Sequence, residues 1–245
     1  MTEHFFWAPH PDDETIGMGG HIARAVQQAG PRPMVIFVFD ALPSARAERL
    51  FHGAMTCPWH GVPHCLAEET NLLTARRVEA NAAVLMLGAD LMHLGVPESL
   101  ASTDLGAAVD QIFAVVHDHA STWPDAVHHF PAGPSDVHAI LGTGHPSHEA
   151  VWRAGCALVR LAAASTGWLT PAQIVFHRIY AYTQPPGHRG QAIALTPAEH
   201  AVKRAAIAEY RQWDPGHGRL AFGYHSVPEL FEAAAADPHE YVETL

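Results

Sequence analysis

Two short segments of this 245-residue chain concentrate side chains that bind metal ions and move protons. The first, His10-Pro11-Asp12-Asp13-Glu14, packs an imidazole and three carboxylates into five residues. A hydrolytic zinc site needs neutral nitrogen and anionic oxygen donors at about 2 Å, converging from different parts of the fold, with one position left open. His10 and Asp13 are close enough in a bent loop to turn inward together. Asp12, between them, can point to the other side of the metal, towards a bound water. Pro9 and Pro11 stiffen the backbone that would hold these groups. An isolated D-D-E before a helix reads more plainly as an acidic helix start complementing the helix dipole. The preceding His and a position just after a strand weigh against that plainer reading. The second segment, Gly144-His145-Pro146-Ser147-His148-Glu149, sets two imidazoles on nearly one face at the start of a helix. The positive helix end disfavours imidazolium and so keeps a ligand His neutral. The competing reading has one His capping the helix and the other in solvent.

The elements around these segments alternate. A buried strand over 4–8 precedes the first segment, and a helix over 15–29 follows it. Met34 to Phe39 is a continuous apolar run, suited to a parallel strand covered on both faces. Helices follow over 72–87, stopped by Gly88, and over 105–117, 146–164 and 197–213, with Pro146 in a first turn. Shorter strands are expected over 91–94, 125–129 and 174–181, and short helical pieces and loops from Asp214. Residues 40–70 lack clean periodicity and read as a long excursion with a short helix over 45–50. Strand and helix alternation predicts an α/β fold, a mostly parallel sheet with helices on both faces, as a single domain over 1–245. Ligands bind such sheets at the carboxyl ends of the strands, where the loop after the first strand falls.

Together the two segments resemble the PIG-L/LmbE-like deacetylase family, which carries A-H-P-D-D-E after its first strand and H-P-D-H much later. Here the first reads Ala8-Pro9-His10-Pro11-Asp12-Asp13-Glu14, with one inserted proline. The second reads His145-Pro146-Ser147-His148. Weaker echoes are Arg77 and Glu79 before Leu87-Gly88, then Pro97-Glu98, and the stretch from Lys203 to Gln212. The resemblance implies a Rossmann-like fold and one zinc ion bound by His10, Asp13 and His148. It implies Asp12 as general base. His145 would stabilise the oxyanion or protonate the leaving amine. The implied reaction is removal of an N-acyl group, acetyl foremost, from an amino-sugar such as an N-acetylglucosaminyl conjugate. Iron(II) accepts the same donors. Two departures bear on substrate preference. Ser147 stands where the family often has an acid that orients the catalytic His. Thr143 stands where it often has an aromatic hydroxyl.

Composition narrows the partners. The chain is 48% hydrophobic and 16% charged, which is ordinary for a globular protein. A net charge of −11 and scattered arginines argue against nucleic acid and anionic membrane as partners. Three cysteines make no disulfide framework and point to a reduced, cytoplasmic protein, with no signal peptide expected. The 20 histidines gain meaning only through spacing. Cys57, His60, His64 and Cys65 could bind a structural zinc, although they match no standard finger spacing. Gly17 to Gly20 lacks the pattern of a phosphate loop, no G-x-S-x-G elbow is present, and Cys156 reads as core. The rival within enzymes is a zinc amidase acting on a larger sugar-linked conjugate or an acyl-amino-sugar on a secondary metabolite. The long excursion, with Trp59, would shape an open site for it. The rival outside enzymes is a non-catalytic metal- or carbohydrate-binding module, against which Asp12 argues, since binding alone needs no base. A homo-oligomer is compatible with all three readings.

Overall fold

A computed structural model describes residues 2–28, 30–40, 49–65, 71–137, 144–165 and 168–243. Strands β1 (His4–Ala8), β2 (Met34–Asp40), β5 (Asp90–Pro97), β6 (Val127–Pro131) and β7 (Ile174–His177) form the parallel part of a seven-stranded sheet. Its order is β5-β2-β1-β6-β7-β11-β8. At one edge β11 (His239–Glu243) runs antiparallel to both β7 and β8 (Gln191–Ala194), so the sheet is mixed there. The hairpin β3 (His52–Thr56) and β4 (Pro63–Cys65) forms a separate small sheet, as do β9 (Trp213–Asp214) and β10 (Arg219–Leu220).

The strand period sets the two faces. Phe6, Ala8, Val35 and Phe37 join one core with α1 (Asp13–Gln27), α2 (Leu72–Leu87), α6 (Pro197–Tyr210) and α8 (Pro228–Ala236). Phe5, Trp7, Ile36 and Val38 join the other with α4 (Leu105–Thr122) and α5 (Pro146–Ala164). The α/β, mostly parallel expectation holds, with helices on both faces. The glycines of α1 serve packing: Gly17 leaves room for Ile179 and Gly20 for Leu195.

Several expected boundaries move. Helix α1 begins at Asp13, because the two carboxylates form its first turn. α2 keeps its expected bounds, capped by Asn71, whose side chain accepts from Thr74 N–H, and by Gly88 at φ 81°. α5 also keeps its bounds. α6 ends at Tyr210 and α4 runs on to Thr122. The strand expected over 174–181 ends at His177, and that over 91–94 spans Asp90–Pro97. β11 was expected as loop or helical tail; its Glu240 breaks the apolar pattern yet is buried, paired with Lys203 Nζ at 3.1 Å. The excursion holds the β3–β4 hairpin; of the helix expected over 45–50, residues 45–48 lie outside the described residues, as does Thr143. No described helix is long and apolar enough to cross a membrane.

Candidate active site

Chain direction reverses its path beside β1: β2 and then β5 lie on one side and β6 on the other. Crevices at such a switch point, beyond the strand carboxyl ends, are where open α/β sheets bind ligands. The loop after β1 carries His10 and Asp12, and Asp13 opens α1 directly after it. The first turn of α5, which follows β6, carries Ser147 and His148, with His145 at its N-cap. Glu98 opens the short helix α3 (Glu98–Thr103) at the end of β5.

These segments meet. The Asp13 carboxylate lies 3.3 Å from His10 Nδ1 and 3.2 Å from His148 Nε2. The three form a buried group whose donor atoms all fall within 4.8 Å of one another, able to hold a metal ion. The ring of His10 is oriented from behind, since its Nε2 lies 3.0 Å from Glu98 Oε2. A carboxylate on the far nitrogen fixes the tautomer and leaves Nδ1 facing Asp13, the usual arrangement behind a metal-binding imidazole. Burial pulls the His10 pKa down, but Asp13 and Glu98 outweigh it and raise it to about 9. Burial opposes ionisation of Asp13, yet His148 and His10 hold it far below the usual carboxylate range. One carboxylate and two imidazoles together make a donor set that suits a divalent cation such as zinc.

Asp12 sits beside this triad on an unusual backbone, φ 123° and ψ −34°. Non-glycine residues rarely adopt such angles, and at functional sites the surrounding structure holds them there. Its N–H donates to Glu14 Oε2 at 2.8 Å, and Arg76 Nη2 donates to Asp12 Oδ2 at 3.2 Å and to Pro11 O at 2.9 Å. Glu14 is in turn held by Tyr210 Oη at 2.9 Å. Gly223 fits against Asp12 so closely that a Cβ there would lie 3.0 Å from Oδ2. Burial raises the Asp12 pKa to about 6, against the opposing pull of Arg76.

Ser147 proves to be a relay. Its hydroxyl donates to Glu98 Oε1 at 2.6 Å, so its oxygen accepts from His145 Nδ1 at 2.6 Å. The negative charge absent from position 147 is therefore supplied by Glu98 through one hydroxyl. With its proton on Nδ1, neutral His145 presents Nε2 as a lone pair. Burial and the neighbouring His10 and His148 lower its pKa to about 3.

The structure thus brings together every site residue expected from sequence, and adds Glu98, Arg76 and Tyr180, whose hydroxyl lies 3.2 Å from His148 Nε2. Of the motif echoes in α2, Arg77 turns away to pair with Asp40 at 2.7 Å, while Glu79 accepts the N–H groups of Leu220 and Phe222, both at 2.9 Å. Arg76 and Glu79, three apart, share the inward face of α2; that spacing was the available signal. Trp59, expected to help shape an open site, packs edge-on against Tyr224 with ring centroids 5.6 Å apart.

A buried histidine–carboxylate centre at the switch point of a parallel sheet defines a metallohydrolase-type α/β protein. The chain belongs to the PIG-L family: the family model described as GlcNAc-PI de-N-acetylase matches residues 5–159. It is homologous to metal-dependent deacetylases of that family acting on N-acetyl amide bonds. Among solved structures, a pseudoaglycone deacetylase for an antimicrobial reagent is 19% identical, with 99% of this chain and 95% of that one covered, at a TM-score of 0.64. The N,N'-diacetylchitobiose deacetylase of Pyrococcus horikoshii is 16% identical over 100% and 84% of the two chains, at 0.54. A 4-carboxy-2-hydroxymuconate hydratase from Pseudomonas putida shares the fold at 15% identity over 99% and 95%, at 0.58. The same fold therefore carries different reactions, and the reaction must be argued from the site. No curated protein matches the chain.

Proposed function

We propose that this chain is a zinc-dependent hydrolase that removes an N-acetyl group from an amino-sugar conjugate, with His10, Asp13 and His148 as the metal ligands. The observation that carries this reading is the convergence of those three buried donors beside Asp12. A zinc ion held there would supply Lewis acidity to an amide carbonyl and lower the pKa of water towards about 7. Asp12 would take the proton of the attacking water, a task suited to a carboxylate whose pKa lies near 6. Arg76 holds that carboxylate in place through its contact with Oδ2. The amine would leave with the water proton carried by Asp12, either directly or after that proton has passed to His145 Nε2, where Glu98 and Ser147 would stabilise the resulting imidazolium through Nδ1.

A second reading, a larger conjugate as substrate, draws support from the pseudoaglycone deacetylase likeness. Both readings treat residues 1–245 as one catalytic domain working on a small-molecule glycoconjugate in the cytoplasm. The test is free-amine release from N-acylglucosaminides, running from N-acetylglucosamine to bulky glycosides, with zinc-loaded, iron-loaded and chelator-stripped protein compared. Metal-dependent release establishes the reaction, and the ranking across the panel chooses the substrate size. Metal retained with no release from any member would sink the proposal.

A further inference from the structure

Cys57, His60, His64 and His225 form a second cluster that the deacetylase centre does not use. Three of the four come from the β3–β4 hairpin, the fourth from α7 (Phe222–Ser226). The hairpin turn is closed by Gly61 N–H to Cys57 O and Cys57 N–H to Val62 O, both at 2.9 Å, with Gly61 at φ 69°. That turn carries Cys57 and His60 together. Cys57 Sγ lies 3.3 Å from both His60 Nδ1 and His225 Nε2. His64 Nε2 lies 3.2 Å from His60 Nδ1 and from His225 Nε2, and those last two atoms are 3.3 Å apart. Five of the six edges of a tetrahedron are thus 3.2–3.3 Å. Bonds of about 2.0 Å to nitrogen and 2.3 Å to sulfur put tetrahedral ligand atoms roughly 3.3–3.7 Å apart.

Hydrogen bonding among the four groups does not account for these contacts. His60 Nε2 donates to Arg211 O at 2.9 Å and His225 Nδ1 donates to Leu220 O at 3.1 Å. Their other nitrogens therefore face each other as lone pairs. Only the Cys57 thiol and His64 Nε2 have protons to offer inward, too few to bridge five short edges. The same two carbonyls are the outer partners that orient metal-binding imidazoles. His64 is held flat against Trp213, ring centroids 3.3 Å apart.

We propose that these four side chains bind a second metal ion, a closed, four-coordinate zinc of structural type, ligated by Cys57 Sγ, His60 Nδ1, His64 Nε2 and His225 Nε2. Binding displaces the thiol proton of Cys57, and the three imidazoles bind neutral. With four protein ligands it has no open position for substrate. His225, far along the chain, completes a set that the spacing of Cys57, His60 and His64 began; the side chain of Cys65, also expected there, lies outside the described residues. The ion clips the hairpin to α7, whose first residues hang from Glu79 and whose Gly223 packs on Asp12. It therefore supports the active site from behind, and it stands whether or not the proposed reaction is right.

The test is zinc content and zinc-edge X-ray absorption on the full chain, loaded with zinc and desalted. The expected result is about two ions per chain, with a sulfur neighbour at about 2.3 Å. Cys57→Ser should remove the sulfur neighbour and lower the content to about one. Asp13→Ala should lower the content equally and keep the sulfur. Zinc with no sulfur neighbour in the unaltered chain, no bound zinc, or sulfur persisting in Cys57→Ser would overturn the proposal. Because the first reading is made on the unaltered chain, a variant that fails to fold does not blunt it. A sulfur-bound zinc without amine release would refute the proposed reaction alone.

Discussion

In the proposed reaction Asp12 and His145 divide the proton work, and their surroundings say how each can be tested. Asp12 reaches no metal ligand's place: its carboxylate is turned to Arg76 and Gly223. Asp12→Ala should therefore abolish turnover while zinc stays bound; metal analysis showing zinc lost along with activity would refute that division of roles. Ser147 contacts His145 and Glu98, so in the proposed reaction it would act through His145 rather than on substrate. Ser147→Ala should lower kcat by about 10- to 100-fold, with KM and metal content nearly unchanged. It should also move the limb of the pH profile that reports His145. An unaltered kcat and profile would show that Glu98 does not act through this hydroxyl. At this scale the sequence was a good guide to side chains that meet locally. His10 and Asp12 lie in one loop with Asp13 opening α1, and His145 and His148 lie at the start of α5. Glu98 was visible only as part of the Pro97-Glu98 echo and Tyr180 not at all; their contacts with residues 88 and 32 positions away could not be read from spacing.

At the level of elements, close approach decides what can be substituted. Gly155 lets α5 lie on β6: a Cβ there would sit 2.8 Å from Phe130 Cγ, inside the closest contact real side chains make. Gly155→Ala should cost about 1–3 kcal/mol of stability by overpacking, read from the shift in urea midpoint at constant slope. The buried pair Lys203–Glu240 joins α6 to β11 and is completed by Tyr182 Oη, 2.6 Å from Lys203 Nζ. Lys203→Met leaves Glu240 facing His21, His177 and two backbone N–H groups without its cationic partner, and should cost about 3–5 kcal/mol in the same assay. This pair also explains why β11 escaped the sequence reading. A strand is recognised by alternation of apolar and polar residues, and a carboxylate neutralised by a lysine 37 positions away breaks that alternation. The hairpin of the excursion was hidden similarly. Its cohesion comes from side chains gathered around Cys57 rather than from an apolar face.

For the molecule as a whole, buried neutral histidines set the acid limit of stability. Trp7 Nε1–H donates to His128 Nδ1 at 3.3 Å, which requires that nitrogen to be unprotonated. Burial, aided by His119, lowers the His128 pKa to about 3, and burial likewise lowers His177 to about 3. The folded pKa lies below the unfolded value near 6.5, so the fold prefers the neutral ring. That contribution is complete above about pH 6.5 and is lost as the pH falls from there towards 3. The urea midpoint should fall across that window, and His128→Phe should flatten the fall; an equally steep fall in that variant would remove His128 as a cause. Lys203, finally, is the only lysine in the sequence and is wholly enclosed. The folded surface consequently offers no side-chain primary amine to an acylating reagent. Active esters should mark a native sample only at its terminal amino group, and a second label per molecule would count the fraction of chains that have opened.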